Sequence, residues 1–144
     1  MIYYADSSFL VSCYLVDSNT PRANVCLRRI RSGLPFTALH ALEVRNAMEL
    51  GIFRGLLPAA DKAAAWACLE SDLAGGRLVR TSVSWPLAFR LAVRLSESHS
   101  VVTGARSLDI LHVAAGKTLR VAEFLSFDDR QRTLATLAGL TVGP

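Results

Sequence analysis

Four carboxylates in this chain stand where a carboxylate is costly. Asp6 closes the apolar segment MIYYA, Glu43 lies on the apolar stripe of a helical pattern, Asp109 stands at the start of LDILHVAA, and Asp128 follows EFLSF. Burying an ionised carboxylate is expensive unless it is paired or bound to a metal. Four such groups spread over the whole chain therefore restrict the fold to one that gathers them, and a cation is the simplest partner they can share.

The 144 residues fit one compact domain, residues 1–144. Hydrophobic residues make up 51% of the chain, enough for a sizeable core and against wholesale disorder. No apolar run approaches the about 18 residues that a membrane span needs. Asp6 also arrives before the apolar region of a signal peptide could form, so a cytoplasmic protein is expected. Cys13, Cys26 and Cys68 lack metal-ligand spacing and read as small core residues in a reducing compartment. With no C-x-x-C pair and with His40, His99 and His112 scattered, a zinc site is not expected.

The net charge is +4, and of 16 Lys and Arg residues all but Lys62 and Lys117 are Arg. The planar fork of Arg suits phosphate. A basic surface suits a polyanion and an acidic centre suits a divalent ion, although Arg-richness also serves solubility.

Short apolar segments alternate with helical patterns. Residues 1–5 read as a buried strand, followed by a helix from Asp6 or Ser7 and a second helix from about Pro21 to Ser32, with Gly33 as its stop. Residues 34–37 read as a strand. A helix over 39–54 places Leu39, Leu42, Glu43, Asn46, Ala47 and Leu50 on one face. Pro58 opens a helix to about Ala74, closed by Gly75 and Gly76. LVRTSV reads as a strand. Helices then run from Ser84 to about Ser98, over 108–118 with Ser107 as cap, and from Asp128 to about Ala138, with VAEFLSF a strand between the last two and 140–142 a final one. This alternation predicts an α/β sandwich with a mainly parallel sheet. Ligands bind such sheets beyond the carboxyl ends of the strands, where Asp6 and Asp128 fall.

Each carboxylate also has a structural explanation. Asp6 before Ser7-Ser8 can be a helix cap. Asp128 can form a capping box with Gln131 reaching back. Asp109 in the first turn of its helix is favoured by the helix dipole. Glu43 is harder to explain this way: a solvated Glu belongs on the opposite face, as Glu49 does, and the alternative is a buried pair with an Arg such as Arg45. His112 reads as a core histidine bonded to a backbone carbonyl. Taken together, the four offer only oxygen, which suits Mg²⁺ or Mn²⁺. Packed carboxylates repel one another without a cation. Such a site can activate water for in-line displacement at phosphorus.

In this order the segments YYADSSFLVSCYL, ALHALEVRNAMELGIFRG, GARSLDILHVAAGKTL and FLSFDDRQRTLA resemble the PIN-domain ribonucleases, most closely the VapC-type toxins of toxin–antitoxin pairs. The spaced set Arg106, Asp109, His112 and Ala114, followed by Ser126, Asp128 and Gln131, is its most specific part. The resemblance implies a three-layer α/β/α fold and Mg²⁺- or Mn²⁺-dependent endoribonuclease activity. It assigns Asp6, Glu43, Asp109 and Asp128 to the metal and the attacking water. Ser126 would support the acidic site by its hydroxyl, Asp129 would lie behind Asp128 or cap the helix, and Arg106 and Arg130 would meet substrate phosphate. It also implies a cognate antitoxin and a homodimer, for which helices 39–54 and 58–74 are candidate contacts. The alternative is a catalytically weak PIN-fold module that binds RNA or joins a repressor complex. A phospho-accepting receiver domain would need a middle strand ending in Asp, and a D-x-D phosphatase is poorly supported, because residue 8 is Ser.

Overall fold

The computed structural model describes residues 2–144, so Met1 lies outside the described residues. The chain divides into two compact units: one is made of residues up to Asp6 together with Ser82–Pro144, and the other of Ser7–Thr81.

The first unit carries three short strands, β1 (Tyr3–Ala5), β4 (Glu123–Leu125) and β5 (Thr141–Gly143), all parallel in the order β1-β4-β5. Parallel neighbours need crossover helices, and this unit supplies α5 (Trp85–Thr103), α6 (Ser107–Thr118) and α7 (Asp129–Leu137). Tyr4, Phe124 and Leu125 are fully buried, each worth roughly 1.5–3 kcal/mol for the larger side chains. Helix α6 is buried without a break from Ile110 to Gly116, which accounts for the near-continuous apolar run after Asp109. The strand pairing continues one residue past each end: Asp6 N–H donates to Leu125 O at 2.9 Å and Ser126 N–H to Gly143 O at 2.9 Å. The sheet therefore fixes the backbone of both residues.

The second unit holds β2 (Leu34–Phe36) and β3 (Leu78–Arg80), also parallel, with helices α1 (Ser7–Tyr14), α2 (Thr20–Arg29), α3 (Ala38–Phe53) and α4 (Ala59–Ala74). Its core includes Phe9, Leu10, Leu34, Met48, Leu69 and Leu78. Gly75 and Gly76 close α4 as the sequence indicates.

Strands β3 and β4 are shorter than the segments LVRTSV and VAEFLSF, and three helices also differ from expectation. Helix α2 ends at Arg29, and Gly33 serves the next strand instead. It has φ +61°, and a Cβ there would lie 2.6 Å from Gly76 O. Helix α5 runs on to Thr103, because the left-handed residue that ends it is Gly104, at φ 63°. On α3 the buried residues are Leu39, His40, Val44 and Met48, so of the expected stripe Leu39 is buried, while Leu42 is 66% exposed and Asn46 is exposed. The expected stripe was displaced because His40 behaves as a core residue. Its ring stacks on Phe36 and its Nδ1 accepts from Thr37 N–H at 3.0 Å.

Candidate functional site

Asp6 follows β1 and Ser126 follows β4, so their side chains emerge at the carboxyl ends of paired parallel strands. Asp6 is 2% exposed, and Ser126 is fully buried. Ser126 Oγ donates to Asp6 Oδ2 at 2.6 Å, a short charge-assisted bond. The same Oγ accepts from Asp128 N–H at 3.0 Å. One hydroxyl thus ties Asp6 to the backbone that presents Asp128.

Asp128 is the N-cap of α7, its Oδ1 accepting from Gln131 N–H at 2.9 Å. The expected capping box is only half formed. The Gln131 side chain does not return to Asp128 but donates from Nε2 to Asp109 Oδ1 at 3.2 Å. A continuous line of hydrogen bonds therefore runs Asp6, Ser126, Asp128, Gln131, Asp109, all within one unit. Arg132 braces it: Nη1 donates to Ser126 O and to Pro144 O, each at 2.8 Å.

Asp109 lies in the first turn of α6, whose cap is Arg106 and not Ser107. Its Oδ2 accepts from Arg106 Nε at 2.9 Å and from Arg106 N–H at 3.3 Å. In this structure the Arg106 guanidinium is thus engaged by the acid beside it, and Arg130 is exposed. Asp129 is exposed at the start of α7.

Glu43 lies in the second unit and is half-buried. Its Oε1 accepts from Ser7 Oγ at 3.0 Å, the residue next to Asp6 in the chain. The alternative partner Arg45 stacks over the Trp66 ring at 3.6 Å instead. Glu49 takes the exposed role expected of it and pairs with Lys62 at 3.0 Å.

His112 is a core residue, and the Tyr4 hydroxyl lies 2.8 Å from its Nδ1. Cys68 is exposed, against the expectation of three core cysteines, while Cys13 and Cys26 are half-buried. Burial, with Cys26 next in effect, pushes the Cys13 thiol up to about 12, so it stays protonated and is a poor nucleophile or metal ligand.

Among the described residues no three Asp, Glu, His or Cys side chains stand close enough to hold a metal ion between them. The three acids of the first unit are linked through Ser126 and Gln131 rather than converging. Their donor chemistry nevertheless fits a hard cation, since all offer oxygen. One more oxygen joins them: Gln131 Oε1 is buried and has no hydrogen-bond partner. In sequence, Gln131 has a capping role and a place in the resemblance motif, but no role in holding Asp109. The available signal was its spacing of three from Asp128, which does not say which way the side chain turns.

No protein-family model matches the chain, and no curated protein matches it in sequence. Among solved structures, the crystal structure of FitAcB from Neisseria gonorrhoeae is similar, with a TM-score of 0.70 and 17% identity over 99% of this chain and 97% of that one. At that identity the likeness shows the fold alone: this chain shares the α/β fold of that structure, with parallel strand pairing. No helix among the described residues is long and apolar enough to cross a membrane.

Proposed function

We propose that the protein is a metal-dependent endoribonuclease of the PIN type and the toxin of a toxin–antitoxin pair. The observation that carries this is the hydrogen-bonded line from Asp6 to Asp109 at the carboxyl ends of β1 and β4. Asp6, Asp109 and Asp128 would hold Mg²⁺ or Mn²⁺, with Glu43 as the fourth acid. When bound, the cation supplies an activated water and neutralises charge at phosphorus. Ser126 fixes Asp6 and the Asp128 backbone in one arrangement. Arg106 and Arg130 approach the substrate phosphate, Arg106 on release from Asp109, and the Arg-rich surface draws RNA in. Unpaired, exposed bases are the natural targets for such a surface.

The rest of the proposal rests on the sequence resemblance together with the PIN-like fold. The chain acts as a single PIN-like domain in the cytoplasm, forms a homodimer and is held by a cognate antitoxin. A groove of about 610 Å³ within the second unit supports α3 and α4 as contact helices. Val11, Tyr14, Leu15, Ala47, Leu57 and Ala65 line it.

A second function, an RNA-binding or repressor-complex module without strong catalysis, is favoured by two observations. The acids do not form a ready-made cation cage, and Arg106 occupies Asp109. Titrating Mg²⁺ or Mn²⁺ into the protein with RNA separates the two. Cleavage that requires the cation and disappears in Asp109→Asn supports the nuclease. Binding without cleavage at saturating cation supports the module.

A further inference from the structure

Gln131 is 1% exposed, a depth at which a polar side chain costs stability unless every group it carries is satisfied. Its backbone and side-chain nitrogens both donate. The backbone N–H holds Asp128 Oδ1 and Nε2 holds Asp109 Oδ1, so the residue bridges two carboxylates that approach from different helices. Its acceptor is not used. Oε1 is the one buried side-chain oxygen or nitrogen among the described residues with no hydrogen-bond partner. An apolar residue of similar size would fill the same space without stranding an oxygen. A glutamine that bridges two acids and leaves its carbonyl unmatched is therefore arranged for something that arrives later.

From this we infer that Gln131 is a positioning residue of the cation site, an inference that rests on the metal-dependent function proposed above. Its backbone N–H holds Asp128 and its Nε2 holds Asp109 in one arrangement before the cation binds. Its Oε1 then accepts a hydrogen bond from a water on the cation. Mg²⁺ and Mn²⁺ sites suit this role, because Mg²⁺ keeps several of its waters when it binds protein. Neutral groups that orient ligating carboxylates normally set cation affinity as well as geometry.

The test measures Mn²⁺ binding to the whole chain by electron paramagnetic resonance, without substrate, in wild type, Gln131→Leu and Gln131→Glu. Circular dichroism checks the fold of each. Wild type is expected to bind Mn²⁺, and folded Gln131→Leu to bind it about 10–100-fold more weakly. Gln131→Glu replaces a donor to Asp109 with a second negative charge. Its melting temperature without cation should fall below wild type, and the rise on adding Mn²⁺ should exceed the wild-type rise. An unchanged Kd in folded Gln131→Leu would overturn the inference and leave the cation site standing. If that variant does not fold, a wild-type melting response to Mn²⁺ in Gln131→Glu would overturn it instead. Wild-type protein that binds no Mn²⁺ would overturn both the inference and the metal-dependent function.

Discussion

Tyr4 and His112 bury their polar atoms against each other, the hydroxyl 2.8 Å from Nδ1, and neither leaves a buried polar atom unmatched. Asp6, Ser126, Asp128, Gln131 and Asp109 belong to the same unit and share its strands and helices, yet their network does not close. It carries three carboxylates and ends with Gln131 Oε1 unmatched. Buried polar groups that serve only the fold tend to be fully satisfied, because each unmatched atom costs about 1–3 kcal/mol. Thr37 and His40 in the second unit follow the closed pattern, each bonding to the other. The contrast separates polar burial that finishes a core from polar burial that waits for a ligand.

Substitutions on the two sides should therefore fail differently. His112→Ala removes a buried ring and its hydrogen bond with the Tyr4 hydroxyl, and is expected to cost about 2–5 kcal/mol in a denaturant melt. RNA cleavage per folded molecule should hold, and a specific loss of cleavage would dissolve the contrast. Ser126→Ala removes the hydroxyl shared by Asp6 and the Asp128 backbone. Cleavage should fall about 10–100-fold, with a smaller loss of stability than in His112→Ala. The smallest effect belongs to Arg106→Ala. The Arg106 side chain is 73% exposed, so its pair with Asp109 is screened and the stability loss should stay under about 1 kcal/mol. If Arg106 meets phosphate, the salt dependence of RNA binding should lose about one unit of slope. An unchanged slope would confine Arg106 to its contact with Asp109.

Much of this was legible from residue patterns. The alternation of short apolar segments with capped helices gave the order of elements, and Asp6 and Asp128 were placed at strand ends by it. The glycine signal worked at Gly76, where a left-handed residue is needed, but the stop at Gly104 was not read, and α5 extends past Ser98 through Val101, Val102 and Thr103. The buried face of α3 was not legible, because the row of His40, Val44 and Met48 competes with an equally periodic row through Leu39, Leu42 and Leu50. A histidine's preference for the core depends on partners, Thr37 and Phe36, that spacing alone does not weigh. Gln131 was misassigned for a related reason. A capping glutamine and a glutamine that bridges two carboxylates look identical in sequence, and only the position of Asp109 on another helix decides between them.

The central claim is that the open network is the catalytic one, and the most direct measurement is cleavage of RNA in Mg²⁺ or Mn²⁺ by wild type, Asp6→Asn and Asp109→Asn prepared identically and freed of contaminating nuclease. Each substitution keeps the size of the side chain and removes one negative charge. Wild type should cleave, and both variants should lose cleavage by about 100-fold or more, with their circular dichroism unchanged. Full cleavage by both folded variants would contradict the claim.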